Sequence, residues 1–319
     1  MATAPESSVS SPPLSTDEET SRTLIDYPDG DIILRSCDSQ EFRLLKLYIV
    51  KCSPVLSERI KAISISGPSR PAVLSDAGTP LPVVQLPECG AIPSCLLTFI
   101  FPMPPTLPRA LEEILELLSV ARRYGMASVL AHIRCCVESK HPPLICPENA
   151  FHAFSLAQKF GLREEAAKAA KISLAFTLTI GNLQGRSDVP QGVYLHELWK
   201  YHQNVRDNLL LKNGDFRGSA AGGTLTGLTC VSRTHSGSPK WLDDYIFSIA
   251  QTPSCFDRFE FQKTLACHIR NTGCSFCMQI PLQTMRMFWT ALTNFINENV
   301  AKASDINMGF YEYCNEHTG

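Results

Sequence analysis

The fold is decided by residues 29–56, which read DGDIILRSCDSQEFRLLKLYIVKCSPVL. The letters EFRL in this stretch alternate polar and apolar side chains, so Phe42 and Leu44 share one face of a half-buried strand. Gly30 and the polar run 36–40 mark the limits of an earlier strand. The two segments are therefore predicted to form a β-hairpin.

The hairpin is followed by two predicted helices. The run from Lys46 to Cys52 is too long and too apolar to be a loop. Ser53 and Pro54 then open another helix, with proline at its first position. Two strands followed by helices predict an α+β fold, with a small sheet flanked by helices at its beginning and a mostly α-helical region after it.

This stretch resembles the BTB/POZ interaction module. The family pattern is an Asp before the first strand, then Phe-x-x-His-Lys, an apolar helix and Ser-Pro-x-Phe. The matching residues are Asp31, Phe42, Lys46, Ser53 and Pro54. Leu45 stands where the family usually has His, and Leu56 replaces an aromatic residue. The resemblance implies a protein-binding surface, to which we assign Asp31, Phe42, Lys46, Leu47, Ser53 and Pro54.

The same resemblance implies self-association. In the family, the Asp equivalent to Asp31 and a charged pocket near Lys46 help to shape a dimer interface. We expect a two-fold homodimer whose apolar centre is supplied by the helix 46–52. Leu45 removes the usual His from that pocket.

Composition excludes several classes of partner. The chain has 319 residues, with 44% hydrophobic and 19% charged residues, which is ordinary for a globular protein. A net charge of −2 provides no field for nucleic acid or an anionic membrane. The longest apolar stretch, Cys95 to Met103, is too short to span a bilayer, and no secretory signal is visible. The 13 cysteines are odd in number and scattered, which favours reduced thiols and an intracellular, cytoplasmic or nuclear location.

The chain divides into six predicted parts. They are a disordered tail (1–24), the BTB/POZ unit (25–140), a BACK-like helical extension (141–211), a flexible Gly/Ser-rich loop (212–239), a C-terminal helical region (240–303) and a tail (304–319). Within the BTB/POZ unit, the Pro/Ser/Gly-rich insert 64–82 is predicted to be a surface loop.

A weak internal repeat supports the helical extension. Residues 120–126, VARRYGM, recur 36 positions later as LAQKFGL at 156–162, each copy ending a helix at glycine beside an aromatic residue. The segment 147–174, together with HELWKYH at 196–202, resembles fungal BTB-domain proteins. That resemblance covers about residues 26–208.

One cysteine cluster raises the question of zinc. Cys274 and Cys277 form a Cys-x-x-Cys pair, and Cys267 or His268 could be a third ligand. A fourth ligand would come from afar, from Cys230, His235 or Cys255. Buried structural thiols are the other interpretation, because a structural zinc site usually shows two spaced pairs. We therefore expect no cofactor, with zinc at Cys267, His268, Cys274 and Cys277 as the alternative.

No pattern indicates an enzyme or a small-molecule substrate. His196 and Glu197 begin the zinc-protease motif, but Lys200 occupies the place of the second His. The glycine-rich region 213–227 lacks the Lys-Ser or Lys-Thr of a phosphate-binding loop.

Three functional interpretations remain. The first is a BTB-mediated oligomer or scaffold, with a transcription-related role as one form of it. The second is a substrate adaptor for a cullin-type ubiquitin ligase, with Leu74-Ser75-Asp76 as a rough match to the expected loop contact. The third is a zinc-supported structural module at the C-terminus. The weak loop match favours the first.

Overall fold

The computed structural model of the protein describes residues 25–66, 73–74, 80–178, 193–212, 216, 240–255, 261–264, 266–267, 270 and 282–304. These residues are mostly helical, with a small sheet near the beginning, so the predicted α+β class is confirmed. The predicted tail 1–24 lies outside the described residues. So does nearly all of the predicted loop 212–239 and of the tail 304–319.

The first unit alternates short strands with helices. In chain order its elements are β1 (Ile32–Arg35), β2 (Glu41–Leu44), α1 (Lys46–Cys52), α2 (Pro54–Ser66), β3 (Val73–Leu74), β4 (Pro80–Leu81), β5 (Val83–Gln85), α3 (Ala91–Thr98), α4 (Leu111–Arg123) and α5 (Ala127–Glu138). β1 pairs antiparallel with β2, which confirms the predicted hairpin. β5 pairs in parallel with β1, giving the order β2-β1-β5.

The alternation in β2 has the predicted consequence. Leu44 lies opposite Ile32 and Phe42 lies opposite Leu34 in the antiparallel ladder. All four side chains are at most 2% exposed, so this face of the hairpin lies in the core. Burying side chains of this size stabilises the fold by roughly 1.5–3 kcal/mol each, which fixes the register of the hairpin.

Two details of the first unit differ from the predictions. The insert 64–82 is not wholly a loop, because β3 and β4 pair within it as a two-stranded antiparallel ladder. The apolar run 91–101 predicts a helix that continues to Pro102, whereas the observed helix α3 ends earlier, at Thr98. A proline at 102 has no amide hydrogen and disfavours helical geometry in the residue before it, so the last turn unwinds before it is reached.

The sequence repeat corresponds to two helical hairpins. A single 3-10 turn (Pro147–Asn149) leads into α6 (Ala150–Lys159), which is followed by α7 (Arg163–Ser173). Gly125 and Gly161 both adopt left-handed backbone conformations, with φ of 67° and 68°. In each copy, the glycine amide bonds the carbonyl three residues back, and the next amide bonds the carbonyl five residues back. This is the Schellman motif, so the repeated Gly is the residue that ends each helix.

In the described residues after α7, three long helices follow. They are α8 (Val193–Leu211), α9 (Lys240–Gln251) and α10 (Leu282–Ser304). The amphipathic pattern of α10 predicts an inward face with Met287, Phe288, Ala291, Leu292, Phe295 and Ile296. The face is confirmed at Phe288, Leu292 and Ile296, which are at most 2% exposed. Met287, on that predicted face, is 55% exposed. The pattern of Leu195, Leu198 and Trp199 likewise predicts that Trp199 faces the core from α8, but Trp199 is 45% exposed. Both predictions were wrong because a wide apolar stripe does not show which of its edges is covered.

Buried side chains from Ile25 to Ala303 belong to one hydrophobic cluster, so the predicted boundary at residue 140 does not separate two cores. Polar contacts cross the same boundary. Ser119 Oγ on α4 donates to the carbonyl of Phe160 at 3.3 Å. Arg134 on α5 binds Glu165 on α7 through two hydrogen bonds, of 2.8 and 3.2 Å. The first helical hairpin is therefore joined to the second by packing and by a bidentate ion pair.

Candidate functional site: the exposed side of α1

Helix α1 begins with help from Asp31, the residue just before β1. Its N-cap position is Leu45, which has extended backbone geometry and no side-chain oxygen to offer. Asp31 supplies the missing acceptor, because its Oδ1 accepts a hydrogen bond from the amide of Lys46 at 2.6 Å. A carboxylate at this end of a helix satisfies a free amide and also interacts favourably with the helix dipole. Asp31 therefore fixes where α1 leaves the hairpin.

The side of α1 that faces away from the core carries two exposed apolar side chains, with the exposed Lys51 one turn further along. Ile49 is fully buried, whereas Leu47 is 61% exposed and Tyr48 is 38% exposed. We call Leu47 and Tyr48 the α1 patch. The ring of Tyr48 lies 5.1 Å from that of Phe101, whose ring is in turn 4.9 Å from Tyr27. Aromatic contacts at these distances hold the Tyr48 ring in place while one side of it stays in water.

The junction between α1 and α2 is a buried hydrogen-bond centre. Ser53 is fully buried, and its Oγ accepts a hydrogen bond from the amide of Leu56 at 3.0 Å. The same hydroxyl donates to the carbonyl of Tyr124 at 2.7 Å, which ties the start of α2 to the end of α4. Pro54 occupies the first position of α2, where a missing amide hydrogen costs nothing.

The structure divides the six assigned interaction residues into two groups. Leu47, Asp31 and Pro54 are exposed, and Lys46 is partly exposed. Phe42 and Ser53 are fully buried and have no surface to present to a partner. As contact residues these two are corrected: their side chains build the core and the α1–α2 junction beneath the surface. Matching a family motif does not distinguish residues that the fold requires from residues that contact a partner.

The predicted zinc ligands are mostly beyond what the structure describes. Cys267 is exposed, while the side chains of His268, Cys274 and Cys277 lie outside the described residues. Of the predicted distant ligands, Cys230 and His235 also lie outside them. In the described parts of the chain, no three His, Cys, Asp or Glu side chains are grouped to hold a metal ion.

The sequence did not indicate a buried charge network between the β5–α3 loop and the end of α4. Glu88 is 5% exposed and lies between β5 and α3. Its carboxylate accepts hydrogen bonds from Tyr124 Oη at 2.7 Å and from Arg123 Nη1 at 2.9 Å. Burial, with the hydrogen bond to Glu88, raises the pKa of Tyr124. The adjacent Arg-Arg-Tyr-Gly of the repeat was the only sequence signal for these partners.

A second buried pair joins α7 to α8. Ser173 Oγ and His202 Nε2 are 2.9 Å apart, with Ser173 fully buried and His202 9% exposed. Burial lowers the pKa of His202 to about 3, so the imidazole is neutral at pH 7. A neutral histidine paired with a serine is the geometry of a satisfied core group, and we treat it as structural.

No protein-family model matches the chain, and no curated protein matches it. Among the helices that the structure describes, none combines the length and apolar character needed to cross a membrane. The class of the molecule therefore rests on the observed α+β architecture and on the surface described above.

Proposed function

We propose that residues 25–140 form a BTB/POZ-type protein-interaction unit and that two copies of the chain pair through the α1 patch. One observation carries the proposal: Leu47 is 61% exposed on a helix whose opposite side, at Ile49, is fully buried. A large aliphatic side chain beside a partly exposed aromatic ring is typical of the apolar centre of an interface. The hairpin and the two helices after it support the BTB-type assignment.

A rigid base supports the patch. Asp31 fixes the start of α1, and Ser53 fixes its end against α4. A surface held at both ends loses little conformational freedom when a partner binds, which favours association. In a two-fold interface each contact occurs twice, so the two copies of Leu47 contribute together.

The size of the contribution follows from the exposed fraction. Full burial of a leucine side chain is worth roughly 1.5–3 kcal/mol, so covering the exposed part of Leu47 is worth roughly 1–2 kcal/mol per copy. The two copies together contribute roughly 2–4 kcal/mol, equivalent to about a 30- to 900-fold change in the dimer dissociation constant.

Sedimentation velocity over a micromolar concentration series tests this proposal with the full chain. The unaltered protein is expected to form a dimer, and Leu47→Asp is expected to be monomeric at the same concentrations with an unchanged circular dichroism spectrum. Phe247→Asp is the matched control, because Phe247 on α9 is also exposed, at 56%. It should leave the dimer intact. A monomeric unaltered protein, or a dimer that both variants preserve, would contradict the proposal.

A pull-down with a cullin-type scaffold separates self-assembly from the adaptor role. Strong capture that depends on residues 60–80 and survives Leu47→Asp would replace self-assembly by adaptor function. A dimer that captures no cullin supports the proposal as stated.

A further inference from the structure

Two cysteines far apart in the chain meet at one end of the sheet. Cys37 lies in the turn between β1 and β2, and Cys89 lies in the loop between β5 and α3. Their Sγ atoms are 3.2 Å apart, although 52 residues separate them in the sequence. Both side chains are exposed, so reagents in solution can reach them.

The backbone around the two thiols is held by several hydrogen bonds between the same two loops. The amide of Cys37 donates to the carbonyl of Glu88 at 3.0 Å, and the amide of Leu86 donates to the carbonyl of Arg35 at 2.7 Å. The amide of Gly90 donates to Asp38 Oδ1 at 2.9 Å. The loops are thus fixed on both sides of the cysteines, and the thiols face each other because of the fold rather than by chance approach.

Disulfide formation needs only a small movement from this arrangement. A disulfide bond is about 2.05 Å long, so the sulfur atoms must approach by roughly 1.2 Å, which side-chain rotation can supply. Metal binding by the same pair lacks support. Within the described residues, no group of three potential ligands includes these cysteines.

We propose that Cys37 and Cys89 form a reversible disulfide site that locks the β1–β2 turn to the β5–α3 loop under oxidising conditions. The oxidant is a low-molecular-weight disulfide such as oxidised glutathione. One thiolate attacks the glutathione disulfide, forming a mixed disulfide and releasing one reduced glutathione. The second thiolate displaces the other glutathione, so two protein thiols and one oxidised glutathione give one protein disulfide and two reduced glutathiones.

The local electrostatics make the reaction dependent on pH. The hydrogen bond with Cys37, followed by the charge repulsion between these groups, raises the pKa of Cys89. Because the thiolate is the reacting form, the link forms slowly near neutral pH and faster as the pH rises. The thiols are stable in a reducing compartment and respond when the glutathione pool becomes oxidised.

The proposal is tested on the full chain by incubation with oxidised glutathione, followed by peptide mapping without reductant. A peptide linked through Cys37 and Cys89 is expected, and it should disappear on reduction. Closing a loop of this length predicts a Tm of the oxidised protein roughly 6 °C above that of the reduced protein. Cys37→Ser and Cys89→Ser should each abolish the Tm increase. Cys135→Ser, at another exposed cysteine, should retain it.

Three outcomes overturn the proposal. They are absence of the linked peptide from a folded, oxidised protein, glutathione persisting on both cysteines, and an equal Tm increase in Cys37→Ser. The proposal is independent of dimerisation. Cys37 follows the C-terminal end of β1, whereas Asp31 and α1 lie at the opposite end of that strand. Cys37→Ser is therefore expected to remain dimeric, and failure of one proposal leaves the other standing.

Discussion

Removing the Glu88 carboxylate is expected to destabilise the protein strongly. Glu88 is 5% exposed and accepts hydrogen bonds from Tyr124 and Arg123, which are neighbours at the end of α4. The guanidinium of Arg59 lies 5.7 Å from the centre of the Tyr124 ring. The carboxylate thus connects the β5–α3 loop to the end of α4.

The cost of Glu88→Ala is the sum of several terms. Tyr124 is 1% exposed, so its hydroxyl loses its acceptor without gaining water, which costs roughly 1–3 kcal/mol. The lost side-chain volume leaves a small cavity worth about 1 kcal/mol. Arg123 is 46% exposed at its side chain and regains water, so its contribution is small. Release of a buried charge offsets part of the loss, and the net decrease in the free energy of unfolding is about 2–3 kcal/mol.

A double-mutant cycle with Tyr124→Phe isolates the penalty that the unsatisfied hydroxyl adds in Glu88→Ala. This variant removes the donor and leaves Glu88 paired with Arg123, so it should cost about 1–2 kcal/mol. In the double variant the hydroxyl is absent, and its burial penalty disappears. The losses in the free energy of unfolding of the two single variants should therefore add up to about 1 kcal/mol or more beyond the loss of the double variant.

Urea unfolding monitored by circular dichroism at pH 7 measures these differences. With an m-value near 3 kcal/mol/M, the midpoint of Glu88→Ala should fall by roughly 1 M. The reasoning is refuted if Glu88→Ala stays within about 0.5 kcal/mol of the unaltered protein. It is also refuted if the two single effects are simply additive.

The remaining predictions concern a helix end and a buried histidine. Gly125→Ala should cost more stability in urea than Gly161→Ala, because both positions are left-handed but an added Cβ at 125 would lie 3.0 Å from Pro54 Cγ; equal losses would contradict this. The pKa of His202 is lowered from 6.5 to about 3, so its contribution to stability is complete above pH 6.5 and is lost as the pH falls toward 3. Between pH 7 and 5 the free energy of unfolding should fall by about 2 kcal/mol more than in His202→Gln, and parallel pH profiles would oppose this.

Local signals predicted the elements of the first unit well. The alternation around Phe42 predicted the face of β2, and Ser53-Pro54 predicted the start of α2. The repeated aromatic-Gly pairs predicted two helix ends, because a left-handed C′ position strongly favours glycine. These features depend on interactions within a few residues, so the sequence pattern contains the necessary information.

Contacts between distant segments could not be predicted in this way. Cys37 and Cys89 meet only after β5 has paired with β1. Glu88 acquires its hydrogen-bond partner Tyr124 only once α4 has packed beside it. The exposure of Met287 depends on which neighbours cover α10, and periodicity alone does not supply that information.

The shared core on both sides of residue 140 limits how the molecule can be divided for experiments. A fragment that stops at Lys140 would uncover the side of α4 that carries Ser119 and lies against Phe160. It would also leave Arg134 without its bidentate partner on α7. Newly uncovered apolar surface attracts chaperones and promotes aggregation. An affinity-capture experiment with such a fragment would therefore enrich proteins that bind exposed apolar surface. Searches for physiological partners should use the chain with both helical hairpins in place.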